Sequence, residues 1–306
     1  MTAELLLPLL AAAVQTGTPI LYATLGEILT ERSGILNLGV EGIMMVGALA
    51  AYVAALATGS AWMGLAAGAG CGALLAAVHA LVCVGFHGNQ VVSGLALTIL
   101  GTGLANNFGT PYIGQSITGF QHAPLPLLAQ IPILGPVFFR QDLLVYLSYL
   151  APVLVWAALT RTTWGLNLRA AGEAPEAVTA AGLSFVWLRW SAVVLGGLLM
   201  GCGGAYLSLA YTHLWSTGLV AGRGWIAVAL VIFAFWHPGR AVLGAYLFGG
   251  VMAFQFRLQA LGTHLPSSLL LMLPYLMTIA VLVTASLRHR GQAAPAGLGI
   301  NPQPPD

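Results

Sequence analysis

The chain has 306 residues, of which 58% are hydrophobic and only 6% charged, and its mean hydropathy is +0.89. Soluble domains carry about 25% charged residues, so this composition excludes a protein with a hydrated surface and predicts a polytopic membrane protein. The ten basic residues are all arginine, which excludes a Walker A lysine and a Schiff-base lysine. If the protein uses ATP, another chain must bind it.

Apolar runs bounded by glycine, proline and charged residues predict an all-α membrane domain over residues 1–290, with about nine (8–10) transmembrane helices of ~20 residues each. The seventh run is short, so we expect that helix to be broken or tilted. The N-terminal run lacks a basic region and is interpreted as a first span, not as a signal peptide. The predicted spans lie near residues 5–26, 36–57, 61–85, 91–109, 141–160, 188–212, 224–236, 239–257 and 267–287.

The first polar segment, GEILTERSGILNLGVEG, lies between the first two spans. Asn37 and Glu41 are four residues apart and share one helix face. A carboxylate at the centre of the bilayer would cost ~3 kcal/mol. We therefore expect Glu41 to lie near the cytoplasmic end, to face the bundle interior, or to be paired or protonated. The pair is either a gate or pathway lining, or a structural clamp between spans. Glu41-Gly42-Ile43 is also weakly similar to Arg223-Gly224-Trp225, and such internal similarity is typical of an inverted repeat.

Small residues recur at helical spacing within three spans and predict close packing of helix backbones. They are Gly64, Gly68 and Gly72 in the third span, Gly197, Gly201 and Ala205 in the sixth, and Ala245 and Gly249 in the eighth.

The fourth span carries amides at both ends. Asn89, Gln90 and Ser93 open it, and Asn106 and Asn107 close it. Buried amides in a span usually form hydrogen bonds with another helix, and the alternative is contact with a polar solute on a translocation pathway.

Two connections are long: the proline-rich loop 110–140 and the polar segment 161–187. In the second, Pro175 suits the first turn of a helix, Glu176 complements the helix dipole, and Gly182 suits the left-handed position after a helix. These residues predict a helix of about two turns, Pro175–Ala181. So short a helix is marginal in water, so its flanking spans or a water-soluble partner protein must hold it; the alternative is a solvated loop.

Arginine asymmetry predicts the orientation. If 161–187 faces the cytoplasm, seven arginines lie inside and three outside, which favours an N-terminus out and a C-terminus in. The seven are Arg32, Arg161, Arg169, Arg189, Arg240, Arg288 and Arg290, and the three are Arg140, Arg223 and Arg257.

The remaining signals are weak. Seven histidines show no metal-ligand spacing, and three cysteines lie inside apolar runs as packing residues. We expect no metal, no cofactor and no nucleic-acid partner. Residues 291–306 are rich in Pro and Gly and predict a disordered cytoplasmic tail.

Four motifs together resemble the permease subunits of ABC importers for ribose-type sugars, branched-chain amino acids and nucleosides, and most resemble the nucleoside branch linked to a basic membrane lipoprotein. They are TLGEILTERSGILNLGVEGIMMVGA, NQVVSGLALTILGTGL, GLNLRAAGEAPEAVTAAGL and GRGWIAVALVIF, in the family's order. The resemblance implies a multi-pass subunit of the inner membrane, surrounded by lipid. Its implied partners are ATP-binding subunits, a second permease that is unlike or identical, and a solute-binding lipoprotein outside.

The same resemblance implies that residues of 161–187 form the coupling segment that seats in the ATPase. The matching residues are Arg169, Gly172, Glu173, Pro175, Glu176, Ala180, Ala181 and Gly182. The family usually has Asn before the proline, where this chain has Ala174, so a side-chain cap is lost. His237-Pro238 stands where relatives often have Asn-Pro.

Three functions remain to be compared. The first is a non-enzymatic permease that moves nucleosides, or related simple sugars, by alternating access driven by partner ATPases. The second is an ion-coupled secondary transporter with Glu41 as the ion site, and the short docking-type helix argues against it. The third, an intramembrane enzyme, lacks paired carboxylates, a histidine cluster or a nucleophile–base pair.

Overall fold

The computed structural model describes residues 3–262, 266–288 and 294–300, which form helices and connecting loops. Within these residues no strand forms, and two isolated bridges join Ser116 to Leu214 and His122 to Asp142. The helices are α1 (Ala3–Arg32), α2 (Val40–Thr58), α3 (Ala61–Ala80), α4 (Gln90–Gly109), α5 (Leu134–Phe138), α6 (Leu143–Arg161), α7 (Thr163–Glu173), α8 (Pro175–Ala180), α9 (Phe185–Tyr206), α10 (Arg223–Ala234), α11 (Pro238–Ala260), α12 (Ser267–Leu271) and α13 (Leu273–Arg288).

Seven of the described helices are long and apolar enough to cross a membrane. They are α1, α2, α3, α4, α6, α9 and α11, and α3 and α9 are extended by π-helical turns at Leu81–Gly85 and Leu207–Tyr211. Two further apolar helices are shorter, α10 and the stretch Ser268–Val281. The predicted all-helical membrane fold is confirmed, whereas the count of nine spans and the orientation of the termini stay predictions.

Helix α10 is the short seventh element that the sequence predicted. Its 12 residues extend ~18 Å, well below the ~30 Å of a hydrocarbon core. It begins beside the first turn of α2, and a Cβ on Gly224 would lie 2.5 Å from the Cα of Glu41. The two similar segments, Glu41-Gly42-Ile43 and Arg223-Gly224-Trp225, therefore lie in contact. From this point α2 and α10 run toward opposite ends of the bundle.

One end of the bundle, here called the α8 end, gathers the end of α1, the start of α9 and the end of α10. The Arg32 side chain donates to the carbonyl of Trp236 at 3.3 Å, and Arg189 Nε donates to the carbonyl of Ser33 at 3.1 Å. Helices α7 and α8 lie at this end.

The opposite end, here called the loop end, is covered by residues 110–140. The Phe120 amide donates to the Leu209 carbonyl at 2.9 Å, and Gln15 donates to the side chain of Gln141 at 2.9 Å. Because Gln15 is on α1, this helix starts at the loop end and finishes at the α8 end.

The predicted close packing of small residues is confirmed. A Cβ on Gly72 of α3 would lie 2.6 Å from the Cα of Gly201 on α9, and one on Gly68 would lie 2.7 Å from the Gly47 carbonyl of α2. Gly249 of α11 likewise touches the backbone of α1 at Gly17. The backbones of α2, α3 and α9 therefore pack against each other with no side chain between them.

Burial differs strongly between the spans. Helix α9 is the most enclosed of the seven long helices, because 72% of the residues in its 18-residue apolar stretch are buried. In the corresponding stretch of α4 only 22% of the residues are buried. Along α4 every fourth residue of one row is exposed: Val91, Leu95, Ile99, Gly103 and Asn107. This helix therefore presents a full-length open face to lipid or to another subunit.

Part of the C-terminal tail, for which the sequence predicts disorder, is among the described residues. Residues 294–300 form a turn that packs at the α8 end, and the Gly297 amide donates to the Gly172 carbonyl at 2.8 Å. Residues 291–293 and 301–306 lie outside the described residues. Backbone amides make the hydrogen bonds of this turn, and the Leu298 side chain packs against the main hydrophobic core.

Candidate functional site

The segment 161–187 folds as two helices separated by one residue. Thr162 caps α7 by accepting the Gly165 amide at 3.0 Å. Helix α7 ends at Glu173, and Ala174 adopts an extended φ of −147° before Pro175 opens α8. Ala174 supplies no side-chain cap, as the sequence predicted from the missing Asn, so Pro175 alone sets the start of α8.

Helix α8 ends in a Schellman motif at Gly182. Gly182 has φ +74°, its amide donates to the Thr179 carbonyl at 2.9 Å, and the Leu183 amide donates to the Val178 carbonyl at 3.1 Å. The predicted helix Pro175–Ala181 and the left-handed conformation of Gly182 are confirmed, with the last helical residue at Ala180.

Buried residues on both helices anchor this pair to the bundle. Val178 is the one residue of α8 that is buried, at 3% exposure. On α7, Gly172 packs against the backbone where α1 ends, and a Cβ there would overlap the Arg32 carbonyl. The same Cβ would lie 3.2 Å from the Gly34 amide, so α7 contacts the connection between α1 and α2 directly.

The rest of α8 faces outward. The predicted coupling residues on and beside α8 are mostly exposed. The exposed ones are Glu173, Glu176, Ala180, Ala181 and Gly182, and Pro175 is half-buried. Arg169 is half-buried on α7, and its Nε is buried without a hydrogen-bond partner in the described structure.

A cavity lies beside α8. It has a volume of about 350 Å³ and is lined by Glu173, Ala174, Pro175, Glu176, Ala296, Gly297 and Ile300. A second cavity, of about 300 Å³, lies between the start of α7 and the start of α9 and is lined by Thr163, Trp164, Asn167, Leu183, Ser184, Trp187 and Leu188. Helix α8 is therefore a short projection, here called the knob, with a cleft along one side.

Glu41, predicted as a gate or clamp, joins the starts of two helices. It lies in the first turn of α2 and is 9% exposed. Its two oxygens accept the Gly222 amide at 2.8 Å and the Gly224 amide at 2.7 Å, both at the start of α10. A carboxylate at this position satisfies two donors of α10 and balances the positive end of its dipole.

Asn37, the second residue of that predicted pair, is fully buried in the connection between α1 and α2. Its amide donates to Glu27 at 3.1 Å, and its own side-chain oxygen accepts the Gly39 amide at 2.8 Å. Asn37 and Glu41 are four residues apart, but Asn37 precedes the helix, so they do not share a helix face. In this conformation both residues are engaged with the backbone.

The polar cluster at the start of α4 divides into buried and exposed residues. Gln90 is buried and accepts the Leu36 amide at 2.7 Å, and Ser93 lies 2.9 Å from Nδ1 of His79. Asn89 caps α4 through the Val92 amide at 3.0 Å and is exposed.

At the other end of α4, Asn106 accepts the Gly218 amide at 3.2 Å, whereas Asn107 is exposed. The amides lie at both ends of one helix, as predicted. Two of the seven polar residues predicted for a pathway, Asn89 and Ser93, line a common cavity of about 550 Å³ whose other lining residues are apolar.

Sequence reasoning missed a carboxylate pair on α1. Glu31 accepts a 2.5 Å hydrogen bond from the Trp236 indole. Glu27 accepts the backbone amide of Asn37 with one oxygen, and its other oxygen is buried without a hydrogen-bond partner in the described residues. Their spacing of four in an apolar helix is a signal that partners are required, but it does not identify Trp236, 205 residues away.

Comparison with known sequences places this chain in a family of transport proteins. Residues 9–282 match the family described as the branched-chain amino acid transport system, permease component. A relative from Haloferax volcanii, named as a putative glucose ABC transporter permease protein, is 45% identical over 302 residues and covers 92% of both chains.

Two further relatives carry nucleoside names. The nucleoside ABC transporter permease protein of Lactococcus lactis is 35% identical over 305 residues, covering 93% of each chain. The guanosine ABC transporter permease protein NupQ of Bacillus subtilis is 31% identical over 299 residues, covering 91% of this chain and 92% of its own. No solved structure was found to match the chain.

Proposed function

The chain belongs to the family of branched-chain amino acid transport system permease components, and we propose that it is the membrane-spanning subunit of an ATP-driven importer for nucleosides or related simple sugars. ATP is bound and hydrolysed by separate subunits, because this chain has no lysine for a phosphate-binding loop. This chain catalyses no bond chemistry and supplies the route through the membrane.

The observation that carries the proposal is the form of α8. One buried residue, Val178, fixes it to the bundle, while its remaining surface projects beside a cleft. A six-residue helix is too short to be stable alone, and the Schellman motif and Pro175 give it a fixed shape. A rigid projection of this kind transmits a push from a partner without needing a chemical group of its own.

We assign the α8 end to the cytoplasm and the membrane to the inner membrane of the cell. Arg32, Arg161, Arg169, Arg189 and Arg240 lie at the α8 end, whereas Arg140 and Arg257 lie at the loop end. This asymmetry agrees with the positive-inside rule. The loop end, with residues 110–140, then receives the solute-binding lipoprotein.

The open face of α4 is where we place the second permease subunit and the pathway between the two subunits. Asn89 and Asn107 are exposed at the two ends of this helix, and Gly103 between them leaves room on the same side. We assign solute contact to Asn89 and Asn107. Asn37, Glu41, Gln90, Ser93 and Asn106 shape the pathway by holding backbone or side-chain groups in place.

The substrate class rests on the names of the relatives. Those at 35% and 31% identity are named for nucleosides and guanosine, and the one at 45% is named for glucose. A nucleoside and a simple sugar share a hydroxylated, uncharged ring, so exposed amides suit either of them as hydrogen-bonding partners.

The connections of α8 support a mechanism of alternating access. A displacement of α8 moves α7, and Gly172 of α7 abuts the connection at Gly34. That connection carries Asn37 and leads into Glu41, which ties α2 to α10. Movement of the knob is therefore passed to the point where two helices begin inside the bundle.

The rival function, an ion-coupled secondary transporter, needs a free carboxylate at Glu41. Both oxygens of Glu41 accept backbone amides of α10. The arrangement favours a structural role for this residue.

Uptake of labelled guanosine into cells that express the complete complex separates these functions. We expect a Walker A substitution in the partner ATPase to abolish uptake, and an uncoupler added at constant ATP to leave the initial rate unchanged. Uptake that survives ATP depletion and collapses with the uncoupler would favour the ion-coupled transporter.

A further inference from the structure

The C-terminal segment 294–300, predicted to be disordered, is held by hydrogen bonds to the end of α7 and to the connection that follows α1. The Gly297 amide donates to the Gly172 carbonyl at 2.8 Å, and the Gly299 amide donates to the Gly34 carbonyl at 3.2 Å. The Ala296 amide donates to the Glu173 carboxylate at 3.1 Å. One turn of the tail thus ties the end of α7 to the connection that follows α1.

Three glycines make this contact possible. A Cβ on Gly34, which has φ +89°, would lie 3.1 Å from the Gly297 carbonyl, and a Cβ on Gly297 would lie 2.8 Å from the Gly172 carbonyl. Pro295 and Gly297 are buried, and Leu298 packs against the main hydrophobic core. The backbone of the tail therefore packs closely against the backbone at Gly34 and Gly172, more closely than a loosely attached tail would.

The tail also completes the cleft beside α8. Ala296, Gly297 and Ile300 form one wall of the 350 Å³ cavity, and Glu173, Ala174, Pro175 and Glu176 form the other. Without the tail, this side of α8 would be an open surface. The cleft is acidic at Glu173 and Glu176 and has an apolar edge at Ile300, which is 59% exposed.

We infer that residues 294–300 are part of the docking surface for the ATP-hydrolysing subunit, and that the cleft between this tail and α8 receives a basic side chain of that subunit with an apolar neighbour. The inference rests on the proposed function. The occupant follows from position and charge: the cleft is continuous with the exposed face of α8, and its carboxylates complement arginine or lysine. Ile300 offers the contact for the apolar stem or neighbour of that side chain.

A pair of truncations tests the inference in the intact complex. A chain that ends at residue 293 lacks the docking segment, whereas a chain that ends at Ile300 keeps it and serves as the matched control. We expect ATPase subunits to co-purify about tenfold less with the shorter chain, a difference that corresponds to ~1.4 kcal/mol. The control should retain them like the full chain.

Cross-linking covers the case in which the shorter chain fails to fold. Ala296 is exposed, so Ala296→Cys leaves the packing intact, and we expect a short bifunctional thiol reagent to join it to the ATPase subunit. Ala57→Cys, at an exposed position of the loop end, together with the chain's own three cysteines, gives the background. The inference would be overturned if Ala180→Cys on α8 cross-linked and Ala296→Cys did not, and if the shorter chain retained the ATPase fully. The proposed function would remain intact in that case. Absence of cross-links at both positions would overturn both.

Discussion

Glu41 illustrates how one residue can hold two elements of a membrane bundle together. Its carboxylate bonds to two amides of α10 while its own backbone belongs to the first turn of α2. These donors have no partner within α10, because the first turn of any helix leaves its amides unpaired. Inside a membrane such donors cannot turn to bulk water, so the side chain replaces it.

Removal of this carboxylate should destabilise the protein. In Glu41→Ala the Gly222 and Gly224 amides lose their acceptor, and we expect the free energy of unfolding to fall by about 3 kcal/mol. Thermal unfolding in detergent, followed by the loss of the monodisperse peak, measures the change. Asn107→Ala, at an exposed position of α4, is the control and should melt like the wild type. An unchanged melting temperature for Glu41→Ala would refute the clamp.

Gly182 and Gly59 offer a matched comparison at two ends of the bundle. Both have a left-handed backbone, with φ +74° and +68°, and a Cβ would meet nothing within 4 Å at either position. Substitution by Val therefore strains each backbone by at least about 1–2 kcal/mol through conformation alone.

The two substitutions should differ in function. Gly182→Val distorts the end of α8, so we expect it to abolish transport-stimulated ATP hydrolysis without lowering membrane insertion. Gly59→Val, which has the same strain at the loop end, should retain that stimulation. Equal stimulation in both variants would show that the shape of α8 is irrelevant to coupling.

At the scale of elements, the packing of α3 against α2 and α9 depends on which face a glycine occupies. Gly72 faces α9, where a side chain has no room, whereas a Cβ added to Gly70 on the same helix would meet no atom within 4 Å. The difference follows from helix geometry, since positions two residues apart point to different sides.

We expect Gly72→Val to reduce the yield of folded protein sharply, because forcing a side chain into a packed seam costs about 1–3 kcal/mol or more. Gly70→Val should express like the wild type, since its side chain enters open space. Size-exclusion chromatography of the two variants measures the outcome. Normal yield and monodispersity for Gly72→Val would mean that the seam is looser than the structure indicates.

The elements also show which features a sequence can predict. Helix α8 is predictable almost to the residue because Pro175 and Gly182 mark its two ends through local backbone chemistry. The close packing of helix backbones at small residues is predictable from the spacing of those residues alone. The capping of α10 by Glu41 does not, because its partners lie 181 and 183 residues further along the chain. Docking of the tail through backbone amides leaves no side-chain pattern to find.

At the scale of the whole molecule, the bundle joins a knob at one end to a junction of helix starts in its interior. The contacts run from α8 to α7, from Gly172 to the connection at Gly34, and from Asn37 to Glu27 of α1. Each step is a backbone or buried polar contact, so the path is stiff. In the proposed function, this path joins the side that receives force to the helices that separate.

The measurement that tests the central claim most directly is the position of α8 in the assembled complex. A cysteine at Ala180, exposed on α8, should cross-link to the ATPase subunit in native membranes, and the yield should change when ATP is bound without hydrolysis. In intact cells the same cysteine should be protected from a membrane-impermeant thiol reagent. Labelling of Ala180→Cys from outside the cell, or the absence of any cross-link to the ATPase subunit, would contradict the account.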